Sequence, residues 1–476
     1  MDSATLTNIR VASFPQKIRI VFDFEGQAYY GVVPSEGMLT LALLSCEAEA
    51  EIKKTVEVDD WVIRNMEVQK IGNNIIVKVP LDYPVSHNIF PLGDPSRLVL
   101  DFSRTFTKVQ KAAQIAKGVE YFGVVKGGED GYVTAQVLRV DPKAVNVWPA
   151  LARKQPNILE SVAGFLNPWE KKARLPFLRD RVSNIVAQQN GVAGVNGTYF
   201  SHSGRPLGVL MIAGEVVSYP ISDRTALILT EDNTPYIDNV ALDAYFDVNG
   251  SKFEITGINE PRQSQQDIVL FTSYYGELTK TDPYGFELVV EGAKVVGSRI
   301  GNSRIPEEGY VLSLGPVYAE HLSGMVKVGD EIKTVINLIP YSTSVKGKIM
   351  HLVGGGPRLV KAGRIYISKY EERFRRDIAK GRAGRTAVGI TEDGKLLFVT
   401  IDDGLRTKRK KKISTQSIGM SLTELAYFLQ SLGAVEALNL DGGSSTTMVV
   451  NGRVVNKPAN GSERQVSNAI IIKSKT

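Results

Sequence analysis

Apolar positions in the first hundred residues recur with a period of two. "KIRIVFDF" (17–24) alternates, "GNNIIVKVPL" (72–81) follows a Gly-Asn turn, and "SRLVLDF" (96–102) follows "LGDP". Alternation of this kind between turn residues predicts strands, so residues 1–104 are expected to form a small all-β sandwich. "SRTFTKVQKAAQIAKG" (103–118) is polar, basic and weakly helical, and its 105–118 portion reads as a linker. From residue 119 the pattern lengthens. "YVTAQVLRV" (132–140) and "AVNVWPAL" (144–151) read as paired strands, and "PFLRDRVSNIVAQQNG" (176–191) as a helix stopped by Gly191. "VAGVNGTYF" (192–200) follows as a buried strand opening into a loop.

The C-terminal third is the most legible. "GRTAVGITEDGKLLFVTIDDG" (384–404) carries two β-rich runs around Asp393-Gly394, a strong hairpin signal. Ser421 and Glu424 stand at capping-box spacing, and Leu425, Phe428, Leu429 and Leu432 recur on one helical face before Gly433. "AVEALNL" (434–440) is then a buried strand, and "TTMVVNGRVVN" (446–456) a hairpin turned by Asn451-Gly452. The fold class expected for 119–476 is α+β, a mixed sheet core flanked by helices, preceded by the β sandwich.

A chain of 476 residues exceeds one ordinary core, which agrees with two domains. It contains no apolar run of the length a membrane span requires. Cys46 is the only cysteine, which excludes an intramolecular disulfide and a cysteine-based metal cluster. "MDSATLTNIR" lacks the basic and apolar regions of a signal peptide. The net charge of +6 is mild and partly local, in "RTKRKKK" (406–412). That run is either a solvated loop or a contact for an anionic polymer. With no recognition motif and no aromatic-interleaved basic stripe beside it, nucleic-acid binding is set aside.

The chemistry gathers where apolar runs end in glycine and small polar residues: "VNGTYF" (195–200), "GGGPRLV" (354–360), "IDDG" (401–404), "NLDGGSS" (439–445) and "NGSERQVSNA" (460–469). A lone Asp-Gly-Gly is usually a tight turn; several such loops together suit a site around a polar ligand. No GxGxxG, P-loop or GxSxG signature is present, and four histidines without an HxxxH pair disfavour a zinc site. Carboxylates remain as catalysts: Asp223, Asp402, Asp403, Asp441 and Glu463, with Glu424 assigned to its cap. Two carboxylates in different environments suit glycosidic cleavage, and Arg262, Arg385 and Arg464 suit bidentate binding of phosphate or carboxylate. No motif requires a cofactor; the residue types allow a calcium held by Asp and backbone oxygens, but no spacing specifies one.

The ordered series "GVNGTYFSHSGRPLGVLMIAGE" (194–215), "GINEPR" (257–262), "IVLFTSYYG" (268–276), "GGGPRLVKAG" (354–363), the 384–404 hairpin, "GMSLTELAYFLQSLGAVEALNLDGGSSTTMVVNG" (419–452) and "ERQVSNAIII" (463–472) resembles the phosphodiester glycosidase family over residues 119 to 474. "IRIVFDF" and "SRLVLDF" make the N-terminal segment similar to an AMIN-type domain, a β module that binds peptidoglycan in bacterial envelope proteins. The resemblances imply an exported envelope enzyme whose signal peptide is missing from this chain. It would hydrolyse a sugar 1-phosphodiester, on a phosphorylated glycan or exopolysaccharide, into free sugar and a phosphomonoester. By that resemblance Asp441 would act as base or nucleophile, or orient the sugar, with Asp402 or Asp403 the second carboxylate. Gly442 and Gly443 would admit the ring, Ser444 would donate to it, and Asn196 and Asn468 would bind hydroxyls or an N-acetyl group. Arg262, Arg385 and Arg464 would hold the phosphate. A departing phosphomonoester is already a stable anion, so the reaction asks more of cations than of a general acid. The basic insertion "LRTKRKKKISTQSIG" (405–419) departs from the family pattern and would extend the anionic reach. The rival reading is a non-catalytic envelope or exopolysaccharide-binding protein that keeps the fold.

Overall fold

The computed structural model describes residues 3–153, 177–375, 381–404 and 416–475. The chain divides into two compact units. The first comprises Met1–Ala112, Phe122–Ala135 and Asp402–Gly419, and the second the remainder.

In the first unit the period-two pattern does what it predicts. Ile18, Ile20, Phe22 and Phe24 of the strand Lys17–Glu25 point inward, while the residues between them stay partly exposed. That strand lies third of five, in the order Cys46–Ala48, Ala4–Ser13, Lys17–Glu25, Arg97–Ser103, His87–Leu92. A second five-stranded sheet, Tyr29–Ser35, Met38–Leu44, Asn74–Pro80, Asn65–Ile71 and Thr55–Glu57, supplies Leu39, Leu41, Leu43, Ile75, Val77 and Val79 to the same core. The expected sandwich is therefore present. The 105–118 stretch is not weakly helical as expected: Phe106–Val109 and Ala113–Ala116 are strands paired antiparallel to residues of Val119–Gly128. Partners in a neighbouring strand outweigh a weak local helical preference.

The second unit is also mostly sheet, with less helix than the sequence pattern suggests. Among the described residues its helices are Val182–Gln188, Pro316–Met325 and Leu422–Ser431. The first spans only seven residues of the 176–191 stretch, and Asn190, rather than Gly191, takes the left-handed turn after it. Leu422–Ser431 forms as its sequence specifies. Ser421 and Glu424 exchange both capping-box hydrogen bonds, and Leu425, Ala426 and Leu429 are buried against the strands Arg358–Lys361 and Ala434–Asn439. No helix among the described residues is long and apolar enough to cross a membrane.

Two sheets position the candidate site. In one, Ala434–Asn439 lies between Arg358–Lys361 and Arg385–Thr391, which pairs onward with Leu396–Ile401 through the Asp393-Gly394 turn. In the other, Ala193–Asn196 lies between Asn468–Ser474 and Met448–Val450. Both central strands contribute to one core, through Leu438 and Val195. Both release their chain into small polar loops, at Asp441 and at Gly197.

Candidate active site

The two loops are joined by one buried asparagine. Asn196 donates from Nδ2 to the Asp441 carbonyl at 2.7 Å. Its Oδ1 accepts from Thr386 Oγ1 at 2.8 Å and from the Thr447 N–H at 3.0 Å. The Asp441 N–H in turn donates to the Gly197 carbonyl at 3.3 Å. Asn196 thus ties the Asp441 backbone to Thr386 and Thr447 and positions it.

The glycines after Asp441 divide the role expected of them. A Cβ on Gly442 would lie 2.8 Å from the Gly384 carbonyl oxygen, so its missing side chain makes room for neighbouring backbone. Gly443 has φ +60°, donates its N–H to that same carbonyl at 2.7 Å, and has open space where a Cβ would stand. Only the second position leaves room for a ligand. The left-handed turn there starts a short 3-10 segment, Gly443–Ser445, which brings Ser445 back toward Asp441.

Ser445 completes a polar relay. Its hydroxyl donates to the Asp441 carboxylate, and its Oγ accepts from Arg464 Nη1 at 3.0 Å. Arg464 also reaches Ser444 Oγ at 3.4 Å, and its guanidinium lies 4.9 Å from the centroid of the Phe200 ring. Burial pushes the Asp441 carboxyl up to about 6, against the lowering effects of the Ser445 hydroxyl, the Arg464 cation and the Gly442 N–H. A half-buried carboxyl poised near neutrality, tied to an exposed arginine through one hydroxyl, can exchange a proton beside an anion.

An aromatic wall continues from the strand that precedes Asp441. Asn439 Nδ2 donates to the Tyr199 hydroxyl at 2.8 Å, which donates to the Gly356 carbonyl at 2.9 Å. The Tyr199 ring lies 5.9 Å from that of Phe374. Tyr199 feels the charges of Asp441, Arg385 and Arg224, and burial raises its hydroxyl far above the usual phenol range, so it stays neutral.

The other expected site residues fall as follows. Buried Arg385 donates Nε to the Met420 carbonyl and Nη2 to the Gly381 carbonyl, each at 3.0 Å, and lies within electrostatic reach of Tyr199. Asn468 accepts the Thr198 N–H at 3.0 Å, and its Nδ2 is a buried donor without an acceptor among the described residues. Arg262 is not brought to this cluster. It donates to the Leu314 carbonyl at 2.6 Å and pairs with Asp282 at 2.8 Å. Asp402 and Asp403 belong to the first compact unit, where the Asp402 N–H bonds the Thr134 carbonyl and Asp403 bridges to Ile418. Glu463 accepts from the Ser183 N–H and hydroxyl at the start of the helix Val182–Gln188, and Asp223 accepts from the Tyr341 hydroxyl. The basic run 406–412 lies outside the described residues. Among those described, no group of three or more His, Cys, Asp or Glu side chains converges to hold a metal ion. Sequence reasoning passed over Ser445, Tyr199, Phe200, Phe374 and Arg224; only Ser445 had a visible signal, as the neighbour of Ser444 in the same loop.

The C-terminal part of this chain, residues 284–473, matches the family model described as phosphodiester glycosidase. The matched segment contains Arg385, Asp441, Ser445 and Arg464, and begins after Asn196, Tyr199 and Arg224. The mouse N-acetylglucosamine-1-phosphodiester alpha-N-acetylglucosaminidase is 29% identical over 139 residues, 26% of this chain and 25% of that protein. The human protein of that name is 32% identical over 97 residues, 19% of this chain and 17% of its own length. This chain therefore spans a quarter or less of the curated relatives it matches. A hypothetical protein from Synechocystis, solved by crystallography, shares the fold with a TM-score of 0.63 at 20% identity, over 99% of this chain and 81% of that one. A Burkholderia pseudomallei protein assigned as exported does so with a TM-score of 0.58 at 20% identity, over 94% and 96%. The matched segment thus sits within a fold that extends over nearly the whole chain.

Proposed function

We propose that the protein hydrolyses a sugar 1-phosphodiester at the anomeric carbon. The observation that carries this reading is the Arg464, Ser445, Asp441 relay, which sets a carboxyl near pH 6 beside a cation on a glycine-opened floor. Ionised Asp441 takes a proton from a water molecule as that water's oxygen bonds to C1. The C1–O bond to phosphate breaks, and its electron pair leaves on the phosphate oxygen. Arg464 stabilises the charge that gathers there, with Arg385 close to the same wall through Tyr199. The leaving phosphomonoester needs no proton at neutral pH, so one carboxylate suffices for this step.

The likeness to N-acetylglucosamine-1-phosphodiester alpha-N-acetylglucosaminidase supports an N-acetylglucosamine 1-phosphodiester as the first substrate to assay. Asp441→Asn should abolish release of reducing sugar from it while circular dichroism stays unchanged. Turnover within a few-fold of the unaltered protein would remove Asp441 from the reaction. The physiological substrate in this reading is an extracytoplasmic glycan of a bacterial envelope, with residues 1–104 as a peptidoglycan-binding module. Co-sedimentation of the whole chain with purified peptidoglycan tests that part; a chain left in the supernatant contradicts it.

A further inference from the structure

Arg224 sits at the far end of the aromatic wall and was not anticipated from the sequence. Its guanidinium lies 3.9 Å from the centroid of the Phe374 ring. Nε donates to the Glu372 carbonyl at 3.1 Å and Nη2 to the Arg373 carbonyl at 3.4 Å. Nη1 has no protein acceptor among the described residues, and no carboxylate there lies within ion-pair distance of the group. The acid whose field reaches it is Glu372, and those carboxylate oxygens are already taken by the Thr225 N–H at 3.0 Å, the Thr225 hydroxyl at 2.6 Å, the Arg358 N–H at 3.0 Å and Ser368. Desolvation pulls its proton affinity down, yet an arginine stays charged under these conditions.

A half-buried cation that neutral carbonyls and one ring hold flat, without a contacting counter-charge, is an unmet electrostatic demand. The chain of contacts from it leads into the site: Phe374 to Tyr199, Tyr199 to Asn439, and Asn439 two residues before Asp441. Tyr199 feels Arg224 and Asp441 together. We propose that Arg224 is a second anion receptor of this site, taking a phosphate oxygen of the ligand through Nη1 while the Phe374 ring fixes the plane of its fork. This inference takes the phosphate class of ligand from the reading above, but its test does not depend on turnover.

Inorganic phosphate is titrated calorimetrically into the whole chain and into Arg224→Met, Arg224→Lys and Arg299→Met, with folding checked by near-UV circular dichroism. A charge-assisted hydrogen bond lost from a site of this kind weakens binding at least about tenfold. Arg224→Met should show that loss, and Arg224→Lys, which keeps the charge without the planar fork, a loss of at least about threefold. Exposed Arg299 lies on another strand, and its replacement should change nothing. Equal affinity in the unaltered protein and in a folded Arg224 variant overturns the inference, as does the absence of phosphate binding by the unaltered protein. Arg224-dependent phosphate binding in a protein that cleaves no sugar phosphodiester would sink the proposed reaction and leave this receptor standing.

Discussion

If burial holds the Asp441 carboxyl at about 6, removing its charge should stabilise the protein in a pH-dependent way. In the unfolded chain the group has its ordinary value of 3.8. Below pH 3.8 both states are protonated and burial costs nothing. Between 3.8 and about 6 the folded state holds a proton that the unfolded state has released, so unfolding becomes easier as pH rises. Above about 6 both are ionised, and the folded state bears the full cost of a desolvated carboxylate. At about 1.36 kcal/mol for each tenfold change in proton affinity, the rise from 3.8 to about 6 corresponds to about 3 kcal/mol. Asp441→Asn keeps the shape and an acceptor for the Ser445 hydroxyl but cannot ionise. Its stability advantage in urea denaturation should be about 0.5 kcal/mol at pH 4, grow through pH 6 and level off at about 3 kcal/mol by pH 8. An advantage that is the same at pH 4 and pH 8, or a mutant less stable at pH 8, would refute the assigned environment. The same variant should be inactive, which sets stability against function at one position.

Other outcomes follow from the contacts around that carboxyl. Arg464→Met removes a cation that lowers Asp441, so the acidic limb of the kcat/KM profile should move above pH 6 while sugar release falls at least about tenfold. Gly442→Ala drives a methyl group against the Gly384 carbonyl at 2.8 Å and should shift the whole loop; activity should drop with only a modest change in Tm, and unchanged activity would show that the close approach is not needed. Ser421→Ala breaks the capping box of the helix behind the Asp441 strand and should cost about 1 kcal/mol in chemical denaturation, with KM unaffected.

What could be read in advance was local. The sandwich alternation, the Asn451-Gly452 turn and the Ser421/Glu424 box each act within a few residues, and each forms as its pattern specifies. The position of Asp441 at the end of a buried strand was also legible, because the apolar run 434–440 stops at Asp-Gly-Gly after a capped helix. What holds it there was not: Asn196 is 245 residues away in the chain, and nothing near either residue announces the pairing. The partners of the arginines were hidden for the same reason. Arg262 looks like a ligand-binding arginine until the Leu314 carbonyl, 52 residues on, takes its Nη1, whereas Arg224 looks ordinary until Phe374 stacks beneath it. The helix content was overestimated because stretches such as 105–118 carry only weak propensity, which strand partners override.

The central claim is that water attacks the sugar carbon and not phosphorus. Hydrolysis of an N-acetylglucosamine 1-phosphodiester in oxygen-18 water, followed by mass spectrometry of both products, tests it directly. Cleavage of the C1–O bond places the label in the released sugar and none in the phosphomonoester. Label in the phosphomonoester would mean that the P–O bond breaks, and would contradict the account.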